Sequence, residues 1–453
     1  MRVKRLKMQS FRGIGNLTLE FPTDEPTVFI GINGVGKSSI LDCIAILFSP
    51  YIDLIRVRDK INFEDFRVDS NSIDWTSRDI VRLLYRNHLP GERESNTLIS
   101  RFFSNEDIKN GQIKNNLEIT TSVGKKRELN WSLSSKKPLI DSTELYALVL
   151  LKILNQPQLI FEKNLPLVIY YPSNRELLDI PLDISSNFSF DQLDAYKSAV
   201  AGVQIVFDRF FQWFRALEDL ENEERLDNSK YKDKQLEAVR KAIYALIPNF
   251  SNLRVRRSPL RMTVKKQGQE LILNQLSDGE KCLLAMVGDL ARRLALANPD
   301  LEDPLEGAGV VLIDEIELHL HPEWQRKIMP ALSRTFPNCQ FIVTTHSPQV
   351  LSQVKPESIY ILERTDEGEI VATRPESSSF GRDSNRILED LMGVSERPKE
   401  IKEEILELFR VIDAGNLDLA RQLRQEIAEK IGLDDPELVK AGVSIRRREI
   451  LKK

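Results

Sequence analysis

The sequence predicts an α/β fold in which a mixed sheet carries a phosphate-binding loop at one end. Three observations predict it. A short apolar run, Thr27–Ile30, ends in the glycine-rich stretch Gly31-Ile-Asn-Gly-Val-Gly36-Lys37-Ser38, and a helical pattern follows at once. Two further runs, Val310–Ile313 and Phe341–Thr345, have the unbroken apolar character of strands buried on both faces of a parallel sheet. The first of these runs delivers Asp314 and Glu315 at its C-terminal end, where open α/β sheets place their ligands.

Composition sets the bounds. The chain has 453 residues, enough for two or three structural units around a large core. It is 41% apolar and 29% charged, an ordinary balance for a soluble globular chain. The net charge of −4 removes any general argument for nucleic-acid binding and leaves only local patches. Cys43, Cys282 and Cys339 are too far apart for a disulfide framework or a CxxC metal site, which fits a reducing cytoplasm. No apolar stretch follows the basic Met1–Lys7, and no run of 18 apolar residues occurs. The sequence therefore predicts neither a secretory signal nor a membrane span.

In chain order, residues 1–21 read as two strands, with Leu6 and Met8, then Leu17, Leu19 and Phe21, alternating around Gly13-Ile14-Gly15. Thr27–Ile30 is a third strand. Ser38–Phe48 is a helix with Ile40, Leu41, Ile44 and Leu47 on one face. Residues 76–250 read as a compact insertion with a strand at Leu167–Tyr171 and helices around Phe207–Leu220 and Lys232–Leu246. Phe207, Phe210, Phe211 and Phe214 fall at helical spacing, which points to core packing, with a base-stacking platform as the alternative. No apolar heptad runs long enough for a coiled-coil arm. Residues 253–275 suggest a hairpin turning at Gln267-Gly268, after which Ser277 opens a helix. A helix over about Glu323–Thr335 separates the two buried strands. Ile359–Leu362 and Ile370–Thr373 form a hairpin around Asp366–Gly368. Past Pro375, Ile401, Ile405, Leu408 and Ile412 mark one amphipathic helix and Leu419, Leu423, Ile427 and Ile431 a second, a helical hairpin across Gly415-Asn416.

Four motifs carry chemistry. In the first, the glycines let backbone N–H groups turn inward around phosphates, and the helix N-terminus adds positive potential. The candidate contacts there are Gly31, Asn33, Gly34, Val35, Gly36, Lys37, Ser38 and Ser39. Lys37 would reach the β- and γ-phosphates, and Ser38 would ligate Mg2+. In the second, Asp314 would hold the metal shell and Glu315 would polarise the attacking water. In the third, Leu276-Ser277-Asp278-Gly279-Glu280, Ser277 and Glu280 form a capping box that starts a helix. Its functional reading is a second anion-binding helix start, with Gly279 allowing close backbone approach. In the fourth, Thr344-Thr-His346-Ser-Pro348, His346 stands at a strand end and would sense a γ-phosphate, although a lone histidine there is more often structural.

These motifs, in this order, resemble the Walker A, signature, Walker B and His-switch elements of ABC-type ATPases. The opening Phe11-Arg12-Gly13 resembles SMC/RecF-type heads. Asp314-Glu-Ile-Glu-Leu-His-Leu-His-Pro322 resembles the group described as AAA-type ATP-binding proteins. Asn274–Arg293 and Arg382–Gly393 are most similar to the ATPases of Septu and retron anti-phage systems. The resemblance implies an N-terminal ATPase lobe at 1–75, the insertion at 76–250, a second ATPase lobe at 251–375 and a helical module at 376–453. It also implies ATP and Mg2+ as ligands and ATP hydrolysis as the reaction. Two heads would pair head to tail, each nucleotide meeting the phosphate loop of one chain and Ser277 and Gly279 of the other. Catalysis would rest on Lys37, Glu315 and His346, while Arg12 is a nucleotide-side candidate with an ordinary surface arginine as the alternative. The glutamine loop has no assignment.

The chain contains no Asp-x-Asp pair, and its four histidines, three of them used above, leave no HNH motif, so no nuclease activity is expected in it. The resemblance to Septu and retron systems implies a separate HNH-type nuclease as the partner that cuts. A RecF-like repair or replication factor and a transporter ATPase are the competing readings; the insertion and the SMC-like opening argue against the transporter. Two basic stretches, Arg254, Arg256, Arg257, Arg261, Lys265 and Lys266, and then Arg446–Arg448 with Lys452 and Lys453, would suit DNA or another nucleic acid. The plainer readings are a solvated face and a frayed tail.

Overall fold

The computed structural model describes residues 1–58, 104–124, 127–136, 149–150, 152–153, 159–160, 162–174, 190–202 and 205–451. These form two compact units, Met1–Arg382 and Asp383–Lys453.

The core of the first unit is a six-stranded sheet of order β13-β12-β3-β11-β10-β6. Its strands are β3 (Thr27–Gly31), β6 (Leu167–Tyr171), β10 (Gly309–Ile313), β11 (Cys339–Thr344), β12 (Ile359–Arg364) and β13 (Ile370–Thr373). All neighbours run parallel except the β12–β13 hairpin. Every residue of β6, β10 and β11 is buried, which is why those segments read as unbroken apolar runs. Helix α1 (Lys37–Val57) follows the phosphate loop and is longer than its predicted span. Its window Lys37–Arg56 is long and apolar enough to cross a membrane by composition, against the expectation that no such segment exists. That window is 89% buried inside the protein, which makes α1 a core helix.

A second, antiparallel sheet has the order β2-β1-β4-β5, from β1 (Arg2–Phe11), β2 (Ile14–Glu20), β4 (Lys114–Val123) and β5 (Arg127–Lys136). The pairing of β1 with β4 shifts register between Val3 and Arg5. The buried Gln340 amide of β11 fills the break: it accepts from Val3 N at 2.7 Å and donates to Val3 O at 2.9 Å, tying the two sheets together. The expected compact insertion is corrected here. Its described strands are laid into both sheets, β4 and β5 beside β1, and β6 at the edge of the large sheet beside β10. Sequence-distant strands pair in this way because pairing satisfies backbone groups that burial would otherwise leave without partners.

Residues 250–272 form three strands, not one hairpin: β7 (Phe250–Arg257), β8 (Leu260–Lys266) and β9 (Gln269–Ile272), with the predicted turn at Gln267-Gly268 joining the last two. Helices α2 (Phe207–Asp227) and α3 (Lys234–Leu246) precede them. Phe207, Phe210, Phe211 and Phe214 are all buried, so they pack the core. Helix α4 (Asp278–Ala297) runs beside them. A Cβ on its Gly288 would stand 2.9 Å from the Phe210 ring. Helices α5 (Pro322–Thr335) and α6 (Pro348–Leu351) complete the unit.

The second unit holds α7 (Ser384–Asp390), α8 (Lys399–Asp413), α9 (Leu417–Ile431) and α10 (Pro436–Leu451). The predicted pair is therefore a triple, whose core joins Ile405, Leu408 and Ile412 to Ala420, Ile427, Leu438 and Ile445. The basic stretch Arg446–Arg448 belongs to α10 and is not a frayed tail; Arg448 reaches Asp413 Oδ1 at 2.6 Å. Lys452 and Lys453 lie outside the described residues.

Candidate functional site

The C-terminal ends of β3, β11 and β10, adjacent in that order, carry the three central motifs. β3 turns into the phosphate loop at Gly31, whose φ of +144° suits only glycine. A Cβ there would also fall 2.4 Å from the Leu362 carbonyl oxygen of β12. Gly34 and Gly36 have φ of +75° and +105°. Val35 is buried and anchors the loop, while Asn33 lies exposed at its crest, and Ser39 is half-buried in the first turn of α1.

Lys37 is buried, and its Nζ donates to the carbonyls of Gly31 and Ile32 at 2.9 and 3.0 Å. Burial lowers the pKa of its ammonium, and the nearby Asp314, Glu315 and Glu317 offset part of that shift. The loop thus closes on a cation that a phosphate could draw away from two neutral carbonyls.

Behind the loop, Ser38 Oγ donates to Asp314 Oδ2 at 2.7 Å. Asp314 Oδ1 accepts from Thr344 Oγ1 at 2.5 Å, and Thr344 Oγ1 accepts in turn from Glu315 N at 2.7 Å. The backbone N–H of Asp314 continues the ladder to Tyr171 O at 2.9 Å. Glu315 is held at φ +49°, a left-handed conformation unusual for glutamate, with its N–H fixed by Thr344. Two residues on, Glu317 accepts from Thr345 Oγ1 at 2.7 Å and from the His346 N–H at 2.5 Å. Lys37, Ser38, Asp314, Glu315 and His346 are therefore brought together. Thr344 and Glu317 join them and carried no role in the sequence reading. Both stand inside the motifs, but only the β10–β11 register, Ile313 beside Val343, makes them neighbours.

The donors fit Mg2+. No group of three or more His, Cys, Asp or Glu that could hold a metal occurs among the described residues. Mg2+ characteristically takes one or two protein oxygens and fills its octahedron with water and phosphate oxygens, and Ser38 with Asp314 supplies that minimal set. The residues beyond β6, 172–174, leave the same sheet end but include no glutamine, so the glutamine loop stays unassigned.

Ser277 caps the start of α4 and Gly279 lies in its first turn. Ser277 Oγ donates to Glu280 Oε2 at 2.9 Å, and Glu280 also binds Lys266 at 2.5 Å. The close approach that Gly279 permits within this chain is to the His319 carbonyl oxygen, 2.4 Å from where a Cβ would stand. Arg12, at φ +51°, is engaged by two carboxylates, Asp42 of α1 and Asp107, the latter at 2.9 Å. Burial works against its charge, but the two carboxylates outweigh it and raise its pKa. Three of the six basic residues are engaged by carboxylates: Arg256 grips Glu270, Arg257 meets Glu218 and Asp219, and Lys266 meets Glu280. Arg261 and Lys265 lie exposed.

A glycine loop, a buried lysine, a serine–aspartate pair and a strand-end glutamate, all at one end of a parallel sheet, define a P-loop nucleotide-binding head of the ATPase class. Residues 155–352 match the family described as "AAA domain, putative AbiEii toxin, Type IV TA system", and residues 1–117 match a family described as "Protein of unknown function (DUF2813)". The chain is 30% identical to the "Retron Vc95 probable ATPase" of Vibrio cholerae serotype O1 biovar El Tor, over 90% of this chain and 82% of that protein. It is 28% identical to the "Retron Ec83 probable ATPase" of Escherichia coli, over 99% and 87%. The "Septu protein PtuA" of Bacillus thuringiensis matches at 28% over 32% of this chain and 39% of its own. Among solved structures, an SMC head bound to the C-winged helix domain of ScpA aligns over 83% of this chain and 98% of its own, at 14% identity and a TM-score of 0.44. The chain belongs to the family of retron ATPases represented by the Vibrio and Escherichia proteins.

Proposed function

We propose that this chain binds and hydrolyses ATP with Mg2+, and that it is the regulatory ATPase of an anti-phage defence complex whose cutting is done by a separate HNH-type nuclease. The observation that carries the hydrolytic reading is the bond of Ser38 to Asp314, with Thr344 linking Asp314 to Glu315. It puts the metal-shell residues, Ser38 of α1 and Asp314 beyond β10, beside the candidate base. Lys37 leaves the Gly31 and Ile32 carbonyls for the β- and γ-phosphates. Glu315 takes a proton from the attacking water, and His346 hydrogen-bonds the γ-phosphate. Ser38 and Asp314 would hold Mg2+, which would supply charge neutralisation for the phosphates.

Ser277 and Gly279 stand at the start of α4. In this reading they complete the site of a second copy in a head-to-tail pair, whose closing and opening is the switch. The defence reading is supported by the names of the relatives, which belong to retron and Septu systems.

The test is a pull-down of tagged Glu315→Gln chain from its native host with ATP and Mg2+, since that variant should retain nucleotide and stay closed. An HNH nuclease or retron component in the eluate supports the proposal. Recombination or replication proteins in its place would overturn it in favour of a RecF-like repair role.

A further inference from the structure

We infer that Glu317 is a positioning residue, whose carboxylate holds the His346 loop in register with Asp314 and Glu315. The inference rests on the ATPase reading above.

β10 and β11 are held by ladder hydrogen bonds only as far as their ends, and the last backbone tie between the two segments is Ile316 N to Thr344 O at 3.0 Å. Beyond it both chains turn away, and their N–H groups need other partners. The positive φ of Glu315 redirects the chain there, and Glu317 bridges back to the β11 side. Each of its oxygens takes one donor: Oε2 the Thr345 hydroxyl at 2.7 Å, and Oε1 the His346 N–H at 2.5 Å. Thr345 is fixed further, because its N–H reaches Phe29 O of β3 at 3.1 Å and its Oγ1 accepts from Ser347 N at 3.0 Å. The same carboxylate offsets part of the burial shift on Lys37, so it lies within electrostatic reach of that ammonium. One side chain thus couples the strand that carries the base, the loop that carries the histidine and the strand that feeds the phosphate loop. Charge-assisted bonds of this kind are stronger than neutral ones and set direction as well as distance.

The experiment uses the full chain with Glu317→Ala, Glu317→Gln and His346→Ala, and with Glu317→Ala and His346→Ala combined. It measures steady-state ATP turnover, and amide hydrogen exchange over residues 341–351. Glu317→Ala should lower kcat on the order of 10- to 100-fold, the size expected for a misplaced reacting group. The KM for ATP should stay within about threefold, and exchange around His346 should accelerate. Glu317→Gln should recover most of the lost turnover. Its amide oxygen can still accept from the His346 N–H while its NH2 donates to Thr345 Oγ1. Adding Glu317→Ala to His346→Ala should cost little further turnover, since the first acts through the second.

Gln as inactive as Ala would show that the charge itself acts on the reacting groups, and would overturn the positioning role. So would wild-type kcat in Glu317→Ala, a KM that rises in step with the fall in kcat, or additive losses in the double variant. If the unaltered chain hydrolyses no ATP, the ATPase reading fails by itself. The clamp is then judged by exchange alone: faster exchange in Glu317→Ala upholds it, and unchanged exchange overturns it.

Discussion

Lys37 donates to two backbone carbonyls of its own loop and sits among Asp314, Glu315 and Glu317, so the loop is preformed around a cation that a phosphate can claim. Lys37→Ala should weaken ATP binding by about 10- to 100-fold, the loss of one or two charge-assisted hydrogen bonds worth about 1.5–3 kcal/mol. Isothermal titration with ATP and Mg2+ measures it. Gly279 makes a different argument, because the atom it must clear is a carbonyl oxygen of the same chain, 2.4 Å from a built Cβ. Gly279→Ala should destabilise the isolated chain by about 1–3 kcal/mol even without nucleotide, since backbone on both sides must give. Urea unfolding of the nucleotide-free protein reads this. An unchanged midpoint would return the glycine to a purely ligand-facing role.

At the scale of elements, α4 begins with a reciprocal capping box in which Ser277 and Glu280 satisfy each other's N–H groups. Burial raises the Glu280 pKa, but the Lys266 ion pair and the Ser277 hydrogen bonds outweigh burial and leave it below the ordinary carboxylate value. A carboxylate with a depressed folded pKa stabilises the fold fully above its unfolded value of about 4.3, and that contribution is lost as pH falls through the folded value. Stability should therefore hold down to about pH 5 and drop between about pH 5 and pH 3, and Glu280→Gln should flatten part of that drop, as read from urea midpoints at the two pH values. Two arginines of β7 belong to this scale too. Arg256 and Arg257 face carboxylates on β9 and α2, so their charge holds elements together and is not displayed to a partner.

For the whole molecule, every residue of the candidate site lies in the unit Met1–Arg382, and the helices beyond it have a core of their own. A chain ending after Arg382 should bind ATP with the affinity of the full chain, because it keeps both sheets, the phosphate loop and α4. Titration of the truncated protein checks this. A loss of binding would mean that the helical unit contributes to the nucleotide site.

The sequence by itself determined which motifs stand at the strand ends. The phosphate loop, the Asp314-Glu315 pair and the His346 turn are each contiguous, since a strand-to-helix turn must place its functional groups within a few residues of the backbone that aims them. Buried parallel strands announced themselves for a related reason: burial on both faces demands an unbroken apolar run. Tertiary structure alone decided what lies between the motifs. Glu317 and Thr344 acquire roles only when β10 lies beside β11, and Arg12 finds Asp42 and Asp107 across 30 and 95 residues of chain. The strands within 76–250 join two sheets through partners remote in sequence. Helix α10 had a start signal in Asp435-Pro436, but its buried Leu438, Ala441 and Ile445 alternate with exposed Val439 and Val443, which blurs the apolar stripe. Pairing across long sequence separations leaves no periodic trace in either partner, so the network that aligns the motifs became visible only in the fold.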